Sequence, residues 1–268
     1  MAKIIAIANQ KGGTGKTTTA VHLASALAAQ GKRVLLVDAD PQANATTLLG
    51  IAPESLATSL YHVLIGQVSA RESIVQGPQE NLDILPATPE LAGATVELFE
   101  LEDYELLLRQ ALEDIKGDYD FVLVDCPPSL GILTVNALAA ADEVIVPVSP
   151  SPFALDGLRQ LVETLNLIQQ NLDIPTAIRG TLLTMHERNN RTAMRVAKEL
   201  WRGAHPVFEV IIPKHPLLAE APFINRPVVI THPESDIAQT FHALAREILN
   251  EGTGNPAPEQ VRYGASGE

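Results

Sequence analysis

Four unbroken apolar runs set the architecture of this chain: Ile4-Ile5-Ala6-Ile7-Ala8, Val34-Leu35-Leu36-Val37, Phe121-Val122-Leu123-Val124 and Val144-Ile145-Val146-Pro147-Val148. They do not alternate apolar with polar, so each predicts a strand buried on both faces, the pattern of a parallel sheet. Between them the period lengthens to that of helices. Thr17 to Gln30 carries Val21, Leu23, Ala24, Leu27 and Ala28, and Gly31 stands where a C-cap belongs. Further helices are expected over 58–66, 97–116, 132–141, 155–171, 189–201 and 236–250. Further strands are expected over 82–86, 177–184 and 207–212. Strands alternating with helices give an α/β fold: a mostly parallel, twisted sheet with helices on both faces. Residues 1–250 read as a single domain. From Glu251 to Glu268 the chain is rich in Gly, Pro, Asn, Glu and Ser, which predicts a disordered tail.

The stretch between the first strand and first helix carries the clearest chemistry. Gln10-Lys11-Gly12-Gly13-Thr14-Gly15-Lys16-Thr17-Thr18 is a glycine loop in strand–loop–helix context. Glycines let the backbone curl so that several N–H groups face one anion, and the helix adds its positive N-terminal end. In such a phosphate loop Lys16 reaches the β- and γ-phosphates, and the Thr17 hydroxyl sits on Mg²⁺. Gln10 holds the place of the usual first glycine, and a second lysine, Lys11, follows it. Two other strands end in aspartates: Val37 leads into Asp38-Ala39-Asp40-Pro41-Gln42, and Val124 into Asp125-Cys126-Pro127-Pro128-Ser129. Ligands of open α/β sheets bind at that carboxyl edge. Asp125 has the form of a carboxylate near Mg²⁺, acting through a bound water. Asp40 or Asp38 is the candidate to orient an attacking water, and spacing does not choose between them.

Composition narrows the picture. The net charge of −13 argues against nucleic acid for the chain as a whole, but it is unevenly spread. Residues 51–120 hold 3 basic and 14 acidic side chains, whereas 179–226 hold 8 basic and 4 acidic. Arg188, Arg191, Arg195, Lys198 and Arg202 recur at spacings of 3 and 4. On a helix they fall within about 80°, opposite Ala193, Ala197 and Leu200. Such a ridge suits phosphates, although Glu199 lies beside it. The single cysteine, Cys126, rules out a disulfide framework and a cysteine-only metal cluster within one chain. The seven histidines have no ligand spacing, and Trp201 falls on the inner side of the basic helix, where packing is expected. No apolar run approaches the ~18 residues that span a bilayer. The N-terminus runs straight into a strand without a signal peptide, so a cytoplasmic protein is expected.

Lys11 to Thr18, then Asp38 to Gln42, then Val124 to Ser129, with a late block Ile212-Pro213-Lys214 through Ala219-Glu220-Ala221-Pro222, resemble the ParA/Soj family of deviant Walker A partition ATPases. The resemblance runs from Lys3 to about Asn250. It implies that Lys11 reaches the partner's phosphates across a nucleotide-sandwich homodimer. It implies that Gly12, Gly13, Thr14, Gly15, Lys16, Thr17 and Thr18 hold ATP, with Thr17 and, through water, Asp125 on Mg²⁺. Asp40 becomes the water-positioning aspartate, and Met185 and Pro213 flank adenine. Members bind DNA without sequence preference when ATP-bound, here through the basic ridge and Lys214. A ParB/Spo0J-type partner with a short basic segment stimulates their hydrolysis. Relatives often carry Arg-Thr early in the basic helix and an arginine where this chain has Leu217; Asn189-Asn190-Arg191 and Lys214-His215-Pro216-Leu217 depart from that pattern. Other readings are a spatial regulator resembling MinD, or one that positions a non-DNA cargo. MinD-like membrane attachment requires a basic amphipathic C-terminal helix that residues 252–268 lack. Metabolic enzymes of the same fold are a third reading. An iron protein needs more cysteines, and a dethiobiotin synthetase-like ligase would hydrolyse ATP only with its small substrate.

Overall fold

A computed structural model describes residues 2–151, 153–187 and 190–250. The strands are β1 (Lys3–Ile7), β2 (Val34–Asp38), β3 (Val75–Gln76), β4 (Leu82–Leu85), β5 (Phe121–Asp125), β6 (Glu143–Val148) and β7 (Ala177–Leu183). The helices in chain order are α1 (Lys16–Ala29), α2 (Asn44–Leu48), α3 (Leu60–Leu64), α4 (Ala70–Ser73), α5 (Leu91–Glu97), α6 (Leu107–Glu113), α7 (Ile132–Ala140), α8 (Ala154–Leu172), α9 (Arg191–Arg202), α10 (Pro216–Ile224), α11 (Val228–Thr231) and α12 (Asp236–Leu249). All seven strands form one sheet in the order β3-β4-β2-β5-β1-β6-β7. Only the β3–β4 pair is antiparallel. The mostly parallel α/β expectation therefore holds.

The unbroken apolar runs are explained by where alternate side chains go. Ile4 and Ala6 of β1, with Leu35 and Val37 of β2, pack under α3, α5, α6, α7 and α8. Ile5 and Ile7, with Val34 and Leu36, pack under α1, α11 and α12 on the other face. The period of two is present, but both sides are dry. Register then fixes the site. In the ladder Asp125 stands opposite Ile7 on one side and Asp38 on the other, so the ends of β1, β2 and β5 meet at one edge.

Two expected elements differ. Residues 97–116 are not one solvated helix. The chain is extended at Leu101 and left-handed at Asp103 (φ 49°). Each flanking helix then buries its own apolar stripe, Leu91, Ala94 and Leu98 before the break and Leu108 and Leu112 after it. Residues 207–212 follow edge strand β7 without joining the ladder continuously. Phe208 N and Ile212 N donate to the carbonyls of Thr181 and Leu183 at 3.0 and 2.8 Å. The intervening N–H groups of Glu209 and Val210 instead donate to the two carboxylate oxygens of Glu247 on α12, at 2.8 and 3.1 Å. The expected tail, 251–268, lies outside the described residues.

Candidate nucleotide site

The glycine loop closes over the end of β1 and feeds α1. Gly15 has φ 82°, a left-handed value that disfavours any side chain. No side chain caps the start of α1, so its first N–H groups remain available to an anion. The loop is strapped down from both sides. Asn9 Nδ2 donates to Pro147 O at 2.7 Å, and Lys11 N donates to Asn9 Oδ1 at 3.0 Å. Thr184 Oγ1, just past β7, donates to Thr14 O at 2.8 Å. A Cβ on Gly157 would stand 2.7 Å from Asn9 Oδ1. That glycine lets α8 press against the loop.

The two lysines are held differently. Lys16 is buried, and its ammonium donates to Lys11 O at 3.2 Å. Burial lowers its pKa, opposed by the nearby carboxyl groups of Asp125 and Asp40. Lys11 is only half-buried, and its Nζ donates to Ser151 Oγ at 2.7 Å, at the far end of β6.

The aspartates also separate by environment. Asp38 is fully buried and its carboxylate is committed: Oδ2 accepts from Thr46 N (2.8 Å) and Thr46 Oγ1 (2.7 Å), and Oδ1 from Asp40 N (3.2 Å). Burial pushes its carboxyl up to about 6, against those hydrogen bonds. Asp40 accepts one bond, from Gln42 N to its Oδ1 at 3.0 Å. Asp38 therefore shapes the loop, and Asp40 keeps an oxygen for other use. Asp125 is buried with neither oxygen in a well-formed hydrogen bond. Burial and the Asp38 charge raise its pKa well above the carboxylate range; the adjacent Thr17 hydroxyl and Lys16 pull the other way. Leaving a buried carboxylate unpartnered is costly. An orphaned hard-oxygen donor beside the Thr17 hydroxyl is the donor set that magnesium accepts.

Met185 and Pro213 come together at the rim. Met185 is half-exposed at φ 51°, with its Cε 3.8 Å from where a Gly15 Cβ would sit. The adjoining residue, His186, is bridged to Pro213. Gly12, Gly13 and Thr18 lie in the loop and first turn, where the spacing put them. On α9, Arg191, Arg195, Lys198 and Arg202 are exposed while Ala193, Val196, Ala197 and Leu200 are buried. Asn190 caps the helix, accepting from Thr192 N and Ala193 N. Arg195 pairs with Glu199 at 3.1 Å, and Lys214 pairs with Glu187 at 3.0 Å. Arg188 and Asn189 lie outside the described residues. Trp201 packs partly buried against the core, and Leu217 packs against the opposite cluster. Sequence reasoning missed Asn9, Thr46, Ser151 and Thr184. None sits in a recognisable spacing, and all act through contacts 8 to 170 residues away or through a single turn.

A glycine loop with two lysines, between a buried strand and an uncapped helix and facing two strand-end aspartates, defines a P-loop nucleotide-binding protein. Comparison with known proteins agrees. A family profile described as an AAA domain matches residues 2–178. The sporulation initiation inhibitor protein Soj of Bacillus subtilis is 44% identical over 253 residues, covering 94% of this chain and 100% of Soj. The chromosome partitioning protein ParA of Caulobacter vibrioides is 44% identical over 92% of this chain and 94% of its own. Among solved structures, cobyrinic acid a,c-diamide synthase from Mycobacterium smegmatis with bound ADP and magnesium superposes with a TM-score of 0.82 at 35% identity, covering 93% and 94% of the two chains. The septum site-determining protein MinD of Pyrococcus horikoshii, complexed with Mg-ADP, gives 0.75 at 30% identity over 92% and 96%. The chain belongs to the ParA/Soj family of partition ATPases. Solved structures of this fold thus hold nucleotide with magnesium. Among the described residues no helix is long and apolar enough to cross a membrane.

Proposed function

We propose that this chain is an ATP-driven dimerising switch that partitions or positions DNA in the cytoplasm over the nucleoid. The observation that carries the reading is the buried, unpartnered Asp125 carboxylate beside Thr17 and Lys16, at the mouth of a loop that also presents Lys11. Residues 1–250 act as one ATPase domain. Gly12 to Thr18 hold the phosphates of ATP through N–H groups, with Lys16 balancing their charge. Thr17 and, through water, Asp125 hold Mg²⁺, which supplies further charge neutralisation to the transferring phosphoryl group. Met185 and Pro213 border the base. Asp40 orients the attacking water, because Asp38 is already committed to Thr46. Lys11 leaves Ser151 and reaches the phosphates of a second copy. Arg191, Arg195, Lys198, Arg202, Lys214 and Arg188 contact duplex phosphates, and a ParB/Spo0J-type partner accelerates hydrolysis.

The likeness to a diamide synthase structure favours a second reading, a ligase whose ATP use depends on a carboxylic acid substrate. One set of measurements separates them: binding to random duplex DNA with ATP, with ADP and without nucleotide, at two salt concentrations. ATP-dependent, salt-sensitive binding is expected. No binding in any state removes DNA from the proposal. Turnover that requires a carboxylic acid substrate replaces the proposal by the ligase.

A further inference from the structure

The most exposed apolar group on the acidic side of the molecule lies on the stretch that follows β4. Leu91, Ala94 and Leu98 turn inward and are buried. On the outward side Val96 is 73% exposed, Phe99 57% and Leu101 38%. Val96 and Phe99 are three residues apart and share one side of the helical stretch, and the Phe99 ring lies 5.1 Å from that of Tyr104. Contiguous exposed apolar side chains rimmed by charge mark contact surfaces rather than core. The rim is of one sign: Glu97, Glu100, Glu102 and Asp103 are exposed and Glu105 half-exposed. From Glu72 to Leu108 the chain has nine acidic residues and no Lys, Arg or His. That field repels nucleic acid and anionic lipid. It suits a cationic partner with an apolar stripe.

The root of this patch is tied to the nucleotide site. Ala87 N donates to Thr46 Oγ1 at 3.0 Å, and Thr46 Oγ1 donates to Asp38 Oδ2 at 2.7 Å. Asp38 Oδ1 in turn accepts from Asp40 N. The neighbouring Thr88 hydroxyl is 3.1 Å from Ser59 Oγ, which fixes the same turn to the start of α3.

We propose that Val96, Phe99 and Leu101, within their ring of carboxylates, form the docking surface for a short basic amphipathic segment of an activating partner, and that Thr46 links this surface to the loop carrying Asp40. The proposal rests on the partner-stimulated ATPase reading and assigns that partner a surface. Thr46 is a positioning residue in it. The test uses a short synthetic helical peptide with leucines on one face and lysines and arginines on the other, beside a scrambled peptide of the same charge. Binding is read by fluorescence anisotropy, and ATP turnover and ATP-dependent dimerisation on the same samples.

The wild type is expected to bind the amphipathic peptide and turn over ATP faster with it, and to respond weakly to the scrambled one. Val96→Ser/Phe99→Ser/Leu101→Ser and, separately, Glu100→Lys/Glu102→Lys/Asp103→Lys should each weaken binding at least about tenfold. Both should keep basal turnover. Thr46→Val should bind the peptide as the wild type does but lose the stimulation, and Thr46→Ser should restore it. Wild-type affinity in both patch variants, equal response to the scrambled peptide, or no binding by the wild type overturns the surface. So does a change of self-association in the patch variants, which would make the occupant a second copy. Stimulation that survives Thr46→Val overturns the link. Absence of basal turnover and dimerisation would instead count against the ATPase switch itself.

Discussion

Lys11 and Lys16 are five residues apart and carry the same charge, yet their surroundings differ. Lys16 is buried among Asp125, Cys126 and Asp40 with its ammonium already inside the loop. Lys11 rests on Ser151 at the surface and gives up one hydroxyl contact by leaving. Lys16→Ala is therefore expected to abolish nucleotide binding, measured by equilibrium titration with a fluorescent ATP analogue. Lys11→Ala should leave nucleotide binding within a few-fold of wild type and remove ATP-dependent dimerisation in light scattering. Normal dimerisation of that variant would refute its cross-subunit role. The choice between Asp38 and Asp40 was open in the sequence because both end the same strand. In the structure three donors occupy Asp38 and one occupies Asp40, which is why the proposed role falls to Asp40. Asp40→Ala should hold an ATP-bound dimer with turnover lowered by about 10²-fold or more, within the range for loss of a positioned general base. Rapid turnover in Asp40→Ala would return the role to Asp38.

At the scale of elements, the legible parts were those whose signal is local. The apolar runs gave β1, β2, β5 and β6 because strands buried on both faces leave an unbroken mark. Gly31 and the alanine–leucine period gave α1. Two errors came from partners distant in sequence. The carboxylate of Glu247 takes the donors that would have made residues 207–212 a strand. The left-handed turn at Asp103 splits the acidic stretch so that Leu98 and Leu108 can both reach the core. The same limit hid His22. It lies on α1, fully buried, stacked on Phe241 of α12 at 4.9 Å, with Nδ1–H donating to Thr18 O at 2.8 Å. Burial lowers its pKa to about 4, against the opposing effect of the Thr18 bond. In the unfolded chain an imidazole titrates near 6.5. Between those values the unfolded chain holds a proton that the folded one does not, so stability falls as pH drops from about 6.5 toward 4. This group alone should cost about 3 kcal/mol across that window. Urea unfolding at pH 7 and pH 4.5 should show a smaller acid-induced loss for His22→Leu than for the wild type. An equal loss in both would assign the acid sensitivity elsewhere.

Over the whole molecule, charge is sorted rather than balanced. The acidic residues gather between β2 and β5, and the basic ones on α9 and the turn beside it. A net charge of −13 disfavours polyanions over most of the surface, and the ridge is where the local charge is reversed. The ridge is not neutralised by its own neighbours. The Arg195–Glu199 pair is exposed and i,i+4, worth about 0.5 kcal/mol and readily exchanged for a phosphate. Arg191, Lys198 and Arg202 stand exposed on the same face. Leu217 packs against the core and offers no charge, so the cationic side chains of this region stand on α9 and at Lys214. If these side chains hold duplex DNA, each one lost removes a set of released counterions. The slope of log K against log salt should then flatten by about 1 per residue. Lys198→Ala/Arg202→Ala should weaken ATP-dependent binding to random duplex and reduce that slope by about 2. Arg71→Ala, whose guanidinium is paired to Asp118 within the acidic region, should change neither. Dimerisation should be untouched in all of them, which separates a DNA surface from a defect in the switch. A ridge variant with unchanged affinity and slope would mean that α9 faces solvent, and that the cargo is held by another surface of the same ATP-dependent dimer.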